Sequence, residues 1–380
     1  MTNISSPISI LEFGSKSIKF GVYDNFVLNQ SLFYEEKIES NKNEISIEKI
    51  LLKKIIQKVE KDLDQHLNEI SLVIDSSSIS SLDISIQEYY GKKIVTKEDL
   101  SYLINQCKQV IIANDKDKNI LHTIVSKIYF DNKIIENFDN ISQEVNNAVV
   151  EIKFIMIDKK IYNNVKSLFS NEHIHLQNVY CASYIKSLGY INKIGISDFC
   201  SFIDIGHKKS SLTIFKNNKL LYIANTHIAS NHITKDISKV LNIDLRKAEA
   251  EKLKFSKKNK LETNIRENKL IKQIINSRLE EIVELLFLDC PLIKSNIFNN
   301  DLKLFFTGNG SKVLSNNMLS FGSDFNFISE MTIIDEDKKD CCDSAIKFKS
   351  ISEHIQPQQD KISLENKGIF ERLFEYLSKK

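Results

Sequence analysis

The chain contains one strand–turn–strand unit twice, at a fixed distance along the sequence. The first copy is Ile10–Tyr23 and the second is Phe202–Phe215, and the two match without a gap. Glu12, near the end of the first strand, corresponds to Asp204, which lies 192 residues further on. Because a period of this length is too long for a stacked solenoid, the duplication predicts two related lobes of an α/β protein.

Each copy predicts an apolar strand that ends in a carboxylate, a tight turn with glycine, and a returning strand. Such a turn offers consecutive backbone N–H groups, hydroxyls and lysine ammonium groups, which suit phosphate oxygens. The preceding acids, Glu12 and Asp204, are able to hold Mg²⁺ through water. Two ordinary β-hairpins are the alternative. The matching acids in one register favour two facing turns that clamp a nucleotide polyphosphate.

Glycine is scarce in this chain, which makes its positions informative. The 380 residues include ten glycines, whereas a typical share of about 7% would give roughly 27. Four of the ten, Gly14, Gly206, Gly308 and Gly310, lie in three turns. The third turn follows an apolar strand that begins at Leu302, and its small residues allow a base or ribose to lie against the main chain. This concentration of glycine predicts one ligand cleft.

These features resemble the actin, chaperone and sugar-kinase superfamily, and within it the FtsA family of bacterial actin-like cell-division proteins. The most specific segment is His227–Ile237, followed by Ala248–Lys254, which is similar to the family's Gly-Gly-Asn-x-x-Thr-x-Asp-Ile and Ala-Glu-x-x-Lys signatures. The resemblance implies an actin-like two-lobe α/β fold with a duplicated sheet and helix core. It also implies a strand–helix–strand–strand inserted subdomain and a C-terminal amphipathic helix.

The same resemblance implies that ATP binds between the lobes together with Mg²⁺, which Glu12 and Asp204 would hold. The residues that it assigns to nucleotide binding come from three turns and one helix. They are Gly14, Ser15, Lys16 and Ser17 in the first turn; Gly206, His207, Lys208, Lys209 and Ser210 in the second; Glu251 and Lys254, for the ribose and adenine; and Gly308, Asn309 and Gly310 in the third.

Three departures from the family pattern bear on the chemistry. Glu12 stands where relatives have Asp, and His207-Lys208-Lys209 replaces Gly-Gly-Thr in the second turn. Near Val179–Ser183 we find no carboxylate or Gln to orient an attacking water. The sequence therefore predicts nucleotide binding rather than rapid hydrolysis. The alternatives are a catalytically active ATPase or small-molecule kinase of the same superfamily, and an actin-like scaffold of the pilus-assembly kind.

The expected domain boundaries follow the two lobes. Residues 1–78 and 159–195 form the first lobe, which a helix within 341–351 closes. Residues 79–158 form the inserted subdomain, in which Thr96 is the expected N-cap of a helix with Asp99 at its third position. Residues 196–225 and 299–340 form the base of the second lobe, and 226–298 form its helical tip.

One partner site is expected on the helical tip. Asn268–Phe287 has the apolar spacing of a core-facing helix. Its polar residues Arg278 and Glu281 match family positions that receive the C-terminal tail of the tubulin-like protein FtsZ. A solvated helix face is the alternative.

The end of the chain predicts attachment to a lipid surface. Residues 352–366 are polar and predict a linker. Residues 367–380 form an amphipathic pattern whose apolar face includes Ile369, Phe370, Leu373, Phe374 and Leu377. A helix of this length, about 20 Å, is too short to cross a bilayer and suits the plane of anionic headgroups. Docking of this helix on the protein body is the alternative.

Together these features predict a peripheral protein on the cytoplasmic side of the cell membrane at the division site. The resemblance further implies self-assembly into filaments and contacts with later division proteins. The formal net charge of +2 argues against a bulk nucleic-acid binder. The sequence contains no run of about 18 apolar residues, so it predicts no membrane-spanning helix. The six cysteines lack C-x-x-C spacing, so neither a disulfide framework nor a zinc site is expected.

Overall fold

The computed structural model describes residues 7–24, 30–38, 44–135, 143–196, 198–256, 265–295, 297–298, 301–314 and 325–355. The strands, in chain order, are β1 (Ile8–Phe13), β2 (Ser17–Tyr23), β3 (Gln30–Lys37), β4 (Glu69–Ile74), β5 (Ser80–Val95), β6 (Lys118–Phe130), β7 (Lys133–Ile134), β8 (Gln143–Asp158), β9 (His175–Cys181), β10 (Cys200–Ile205), β11 (Ser210–Lys216), β12 (Lys219–Thr226), β13 (Leu302–Thr307) and β14 (Ile328–Ile333). The α-helices are α1 (Glu44–Leu63), α2 (Lys97–Asn114), α3 (Lys159–Ser170), α4 (Ala182–Ile194), α5 (Ser230–Leu241), α6 (Leu245–Ser256), α7 (Ile265–Phe287), α8 (Pro291–Lys294) and α9 (Asp340–Ile355).

The strands form two five-stranded sheets of the same topology and one four-stranded sheet. The first sheet has the order β3-β2-β1-β4-β9 and the second has the order β12-β11-β10-β13-β14. In each, an antiparallel hairpin is followed by parallel strands. We call the first sheet with α1, α3, α4 and α9 the first lobe, and the second sheet with α5, α6 and α7 the second lobe. The predicted α/β architecture is confirmed.

The duplication extends to the strand register. In the first hairpin Ile8 pairs with Tyr23, and in the second Cys200 pairs with Phe215, so both partners are displaced by 192 residues. Each sheet also has an irregularity in the next strand pair, after Val22 in the first and after Ile214 in the second, at the same displacement. The two lobes are therefore copies of one unit down to the position of a bulge.

The apolar cores hold the two lobes together. On one face of the second sheet, Phe202 and Phe215 belong to the same buried cluster as the first sheet and α4. The opposite face packs on α5 and on α7, whose Ile271, Ile275 and Leu279 are fully buried. The predicted core-facing pattern of α7 is confirmed.

A third, smaller sheet is inserted between β4 and α3. It has the order β5-β8-β6-β7, and α2 packs on it through Leu103 and Cys107. Thr96 caps α2 as expected: its side chain accepts a hydrogen bond from the backbone N–H of Asp99, and the Asp99 carboxylate accepts one from the N–H of Thr96 at 3.0 Å. This reciprocal capping box satisfies two backbone donors at the helix start.

The helix α9 returns to the first lobe after β14. Its residues Cys341, Cys342, Ala345 and Ile346 are buried in the first core. The helix ends at Ile355, so it takes up the first four residues of the expected linker 352–366, a correction to the sequence boundary. No described helix is both long enough and apolar enough to cross a membrane. The rest of the linker, and residues 367–380 with Ile369, Phe370, Leu373, Phe374 and Leu377, lie outside the described residues.

Candidate functional site

The three glycine turns meet at one cavity of about 340 Å³ between the two lobes. The hairpin turns of both lobes face it, and the turn after β13 forms a third wall. The predicted residues that line it are Glu12, Gly14, Ser15, Lys16, Ser17, Asp204, Gly206, His207, Lys209, Gly308, Asn309 and Gly310. Twelve residues predicted from three distant segments are thus neighbours.

The two hairpin turns have the same construction. The backbone N–H of Gly14 donates to the carbonyl oxygen of Ser17, and that of Gly206 donates to the carbonyl oxygen of Lys209, both at 3.0 Å. A Cβ atom on either glycine would lie 2.8 Å from that same oxygen. Glycine is therefore needed here for space, and neither position has a positive φ. His207-Lys208-Lys209 fits the second turn without a left-handed residue.

The third turn is held against the end of β10. Gly308 has φ 83° and ψ 160°, a region that only glycine adopts readily. A Cβ atom there would clash with the Asp204 carboxylate and lie 2.6 Å from the carbonyl oxygen of Ile205. At Gly310 a Cβ atom would lie 2.6 Å from the same carbonyl oxygen. Both glycines let the backbone of the third turn approach the second.

An ion cluster forms the floor of the cavity. The Lys19 ammonium lies 3.0 Å and 3.2 Å from the two carboxylate oxygens of Glu12. The Lys186 ammonium, from α4, lies 2.5 Å from Asp204 Oδ2 and 2.9 Å from Glu336 Oε1. The backbone N–H of Gly308 donates to Glu336 Oε2 at 2.9 Å, which ties the third turn to the cluster.

The two lysines of the cluster are charged in spite of their burial. Burial alone would lower the pKa of Lys186, but the carboxylates of Asp204 and Glu336 raise it well above its ordinary value. The pKa of Lys19 is also raised, because Glu12 outweighs the effect of burial. Burial raises the pKa of Glu336 in spite of the Lys186 ammonium. Both lysines are therefore protonated at neutral pH.

The same contacts test the expected Mg²⁺ site. Mg²⁺ needs near-octahedral oxygen ligands, and carboxylates supply them only if their oxygens are available. Glu12 is engaged through both oxygens by Lys19, and Asp204 is engaged by Lys186. Among the described residues, no group of three His, Cys, Asp or Glu side chains is arranged to hold a metal. The residues present therefore do not fit direct coordination of Mg²⁺ by Glu12 and Asp204.

The helix α6 contributes different residues from those expected. Glu251 and Lys254 do not line the cavity; they pair with each other at 2.6 Å. Glu249, Lys252 and Leu253 line it instead, because positions three and four apart share a helix face. The Ala-Glu-x-x-Lys signature, read from Ala248, selects Glu249 and Lys252, which lie two residues before the pair assigned from the sequence.

Lys252 is the most enclosed lysine of this wall, with 2% of its side chain exposed. Its ammonium donates to the carbonyl oxygen of Ser230 at 3.1 Å and to Thr234 Oγ1 at 2.8 Å, and it pairs with Glu249 at 2.8 Å. Burial opposes the charge of Glu249, but Lys252 and Thr234 outweigh it and lower its pKa to about 2. Lys16 lies 3.4 Å from Glu249, so this ion pair joins the first turn to the second lobe.

Two residues of the second turn do not line the cavity. Ser210 is buried and donates from its hydroxyl to the carbonyl oxygen of Ile228 at 2.9 Å. Lys208 is also outside the lining. Successive side chains of a strand point to opposite faces. Ser210 does not line the cavity because its side chain points to the face opposite its neighbour.

Sequence reasoning missed several lining residues: Lys19, Asp75, Lys186, Glu249, Lys252, Lys312 and Glu336. A signal for Asp75 was present, because this carboxylate directly follows the apolar strand β4, and Glu12 and Asp204 lie near the ends of β1 and β10. Burial raises the pKa of Asp75, and the nearby Asp204 adds to this effect. Lys186 lies in the middle of an apolar helix and carried no such signal.

The contacts of Glu249 on α6 lead to a prediction about the free energy of unfolding. We expect Glu249→Gln to lower the free energy of unfolding by about 2 kcal/mol, because the buried Lys252 loses its counterion. Since the pKa of Glu249 is lowered from 4.5 to about 2, the difference from the parent protein should shrink as the pH falls from about 4.5 to about 2. Urea unfolding at several pH values measures it.

The matched control is Glu251→Gln on the same helix. Its partner Lys254 is 55% exposed, so we expect a change below about 0.5 kcal/mol. Equal losses in the two variants would contradict the assignment of Glu249 to the buried network.

The expected partner residues lie together on the second lobe. Arg278 donates from Nε to Asp236 at 2.7 Å and from a terminal nitrogen to Glu281 at 2.5 Å. A surface groove of about 390 Å³ runs between α5 and α7 at this point. It is lined by Asp236, Lys239, Val240, Gln273, Ile274, Ser277, Arg278 and Glu281.

Comparison with known proteins gives sequence relatives over part of the chain. The family model of the cell division protein FtsA matches residues 201–316. The chain is 24% identical over 163 residues to the cell division protein FtsA of Helicobacter pylori, across 43% of this chain and 32% of that protein. It is 24% identical over 283 residues to the cell division protein FtsA of Buchnera aphidicola, across 72% of this chain and 66% of that protein. The chain thus spans about a third of the length of the Helicobacter relative.

Solved structures resemble most of the chain. The PilM-PilN type IV pilus biogenesis complex contains a chain with a TM-score of 0.57 and 13% identity, with 86% of this chain and 87% of that chain covered. MreB5 of Spiroplasma citri bound to ADP gives a TM-score of 0.50 and 14% identity, with 93% and 99% covered. These likenesses show that the chain has the actin-like fold.

Proposed function

We propose that this chain, which has the actin-like fold and resembles the cell division protein FtsA over part of its length, binds ATP between its lobes and acts as an assembly protein of cell division. One observation carries the proposal. Three glycine turns converge on a cavity of about 340 Å³ that is rich in lysine. The lysines are Lys16, Lys19, Lys186, Lys209, Lys252 and Lys312.

The cavity suits a polyphosphate better than a neutral ligand. Backbone N–H groups of the two hairpin turns and the lysine ammonium groups provide donors for phosphate oxygens. Gly308 and Gly310 leave room for a flat ring or a sugar beside the main chain of the third turn. Burial, with a contribution from Lys16, lowers the pKa of His207 to about 4, so that this imidazole is neutral at pH 7.

The proposed mechanism couples nucleotide binding to assembly. A nucleotide that contacts both lobes favours the arrangement in which the lobes face each other closely. In that arrangement the chain would assemble into filaments on the cytoplasmic face of the cell membrane at the division site. Many weak lipid contacts along one filament give a high avidity.

The direct test is ATP binding by calorimetry, together with turnover, on the purified full-length chain. Measurable affinity with little turnover would support a nucleotide-binding assembly protein. The absence of ATP binding would contradict the proposal.

A second candidate function is ATP hydrolysis or phosphoryl transfer. Asp75 favours it, because this half-buried carboxylate lines the cavity and desolvation raises its pKa, which is the direction that a proton acceptor needs. Rapid turnover that Asp75→Asn abolishes, with ATP affinity retained, would favour this candidate over the first.

The groove between α5 and α7 is the proposed site for the C-terminal tail of FtsZ. We expect Arg278→Gln to weaken binding of a synthetic FtsZ tail peptide about tenfold, because the groove loses its paired cation and leaves Asp236 and Glu281 uncompensated. Fluorescence anisotropy of a labelled peptide measures this. The exposed Lys347→Gln on α9 is the control and should bind as the parent protein does. Unchanged binding by Arg278→Gln would place the peptide elsewhere.

The residues 367–380 are the proposed membrane anchor. We expect the double substitution Phe370→Glu and Phe374→Glu to abolish sedimentation with anionic liposomes, because two charges enter the apolar face of the helix. Glu371→Gln and Glu375→Gln, on the polar face, form the control and should sediment as before. Sedimentation of the Phe370 and Phe374 variant at the parent level would remove the anchor from the proposal.

A further inference from the structure

We propose that Lys19 and Lys186 take the place of a divalent cation in this cavity, so that the chain binds a nucleoside triphosphate without Mg²⁺. The inference rests on the proposed nucleotide binding, and it adds that the triphosphate binds as the free anion rather than as its Mg²⁺ complex. The carboxylates at the cavity floor are paired with ammonium groups, whereas a metal site requires carboxylate oxygens that are available to the metal.

The first step is the occupancy of the carboxylates. Lys19 contacts both oxygens of Glu12, and Lys186 bridges Asp204 and Glu336. A metal ion at these carboxylates would have to displace two ammonium groups or lie in contact with them. Like charges at such a distance repel strongly where water is excluded.

The second step is that neither ammonium has another place to go. The side chains of Lys19 and Lys186 are 9% and 7% exposed. Lys186 projects from the middle of α4, whose neighbouring residues Ile185 and Tyr190 are buried in the core. A buried ammonium that lost its carboxylates would be left without compensation, which is costly. The two lysines are therefore fixed parts of the floor.

The lysines of the cavity fall into two groups with different positions. Six lysines and five carboxylates line the cavity. The carboxylates are Glu12, Asp75, Asp204, Glu249 and Glu336. Lys19, Lys186 and Lys252 are paired within the walls. Lys16, Lys209 and Lys312 belong one to each of the three turns, and Lys16 also pairs with Glu249 at the edge of the cavity. In the proposal Lys19 and Lys186 neutralise the carboxylates that a metal ion would otherwise neutralise, and the three turn lysines supply point charges to phosphate oxygens.

The deciding experiment measures ATP affinity of the full-length chain by calorimetry, once with excess MgCl₂ and once with excess EDTA. We expect the dissociation constants to agree within about threefold, or the metal-free ATP to bind more tightly. Binding in MgCl₂ that falls more than tenfold in EDTA would overturn the inference and leave the proposed nucleotide binding intact. No binding in either buffer would overturn both.

A variant adds a second measurement. Lys186→Met frees the carboxylates of Asp204 and Glu336, so we expect its ATP affinity in EDTA to fall more than tenfold and MgCl₂ to restore most of the loss. Lys193→Met, at an exposed position of the same helix, is the control and should show no such dependence. A folded Lys186→Met protein with equal affinity in both buffers would overturn the role of Lys186. If the variant fails to fold, as circular dichroism would show, the two-buffer comparison on the parent protein decides.

Discussion

Replacement of Gly308 by alanine is expected to lower the affinity for ATP more than tenfold and the free energy of unfolding by about 3 kcal/mol. Two effects combine. The backbone angles of Gly308 are nearly restricted to glycine, and a Cβ atom would meet the Asp204 carboxylate and the carbonyl oxygen of Ile205. Because the backbone N–H of Gly308 also binds Glu336, the shift that relieves the clash would disturb the ion cluster.

A matched control separates the two effects. Gly91 also has a positive φ, of 61°, but a Cβ atom added there would have no neighbour within 4 Å. We expect Gly91→Ala to cost about 1 kcal/mol of stability, from backbone strain alone, and to leave ATP affinity unchanged. Calorimetry and urea unfolding of both variants measure the difference. Equal effects at the two glycines, or full ATP affinity in Gly308→Ala, would contradict a close approach of the third turn to the ligand.

The second large effect is expected at Lys186. Lys186→Met should lower the free energy of unfolding by about 3–5 kcal/mol at pH 7, because it leaves Asp204 and Glu336 buried without a cation. Burial already raises the pKa of Glu336, and Lys186 opposes this effect, so loss of the ammonium should raise the pKa of Glu336 further. The destabilising effect of this carboxyl should therefore be present at pH 7 and decrease as the pH falls toward about 4, where the unfolded carboxyls also gain protons.

Additional substitutions test whether the loss arises from the uncompensated acids. The triple variant Lys186→Met, Asp204→Asn, Glu336→Gln should be more stable at pH 7 than the single variant, because no charge is left unpaired. Urea unfolding across this pH range measures both. A triple variant that is less stable than the single one, or a loss in Lys186→Met that grows at low pH, would contradict this account.

The sequence was sufficient to predict the duplicated lobes and the convergence of the three turns. The reason is that a duplicated unit carries its register with it, so Gly14 and Gly206 must occupy equivalent places. The acids before the turns were found by the same rule, and Asp75 follows an equivalent strand. These features are local, and the chain itself fixes their spacing.

The charges that meet the acids were not predictable in the same way. Lys186 comes from a helix, and Glu336 follows a strand about 150 residues later, so their contact depends on how two elements pack. On α6 the pairs Glu251–Lys254 and Glu249–Lys252 lie two residues apart, and they differ mainly in that Lys254 is exposed and Lys252 is buried. The Ala-Glu-x-x-Lys signature fits this segment both from Ala248 and from Ala250. Only the face of the helix that lines the cavity distinguishes the two assignments.

The chain passes between the lobes at two places, after α4 and between β14 and α9. Lys16 of the first turn pairs with Glu249 of the second lobe at the cavity between the lobes. Any widening of the cavity at this point must separate the Lys16 ammonium from the Glu249 carboxylate, so this ion pair opposes the opening.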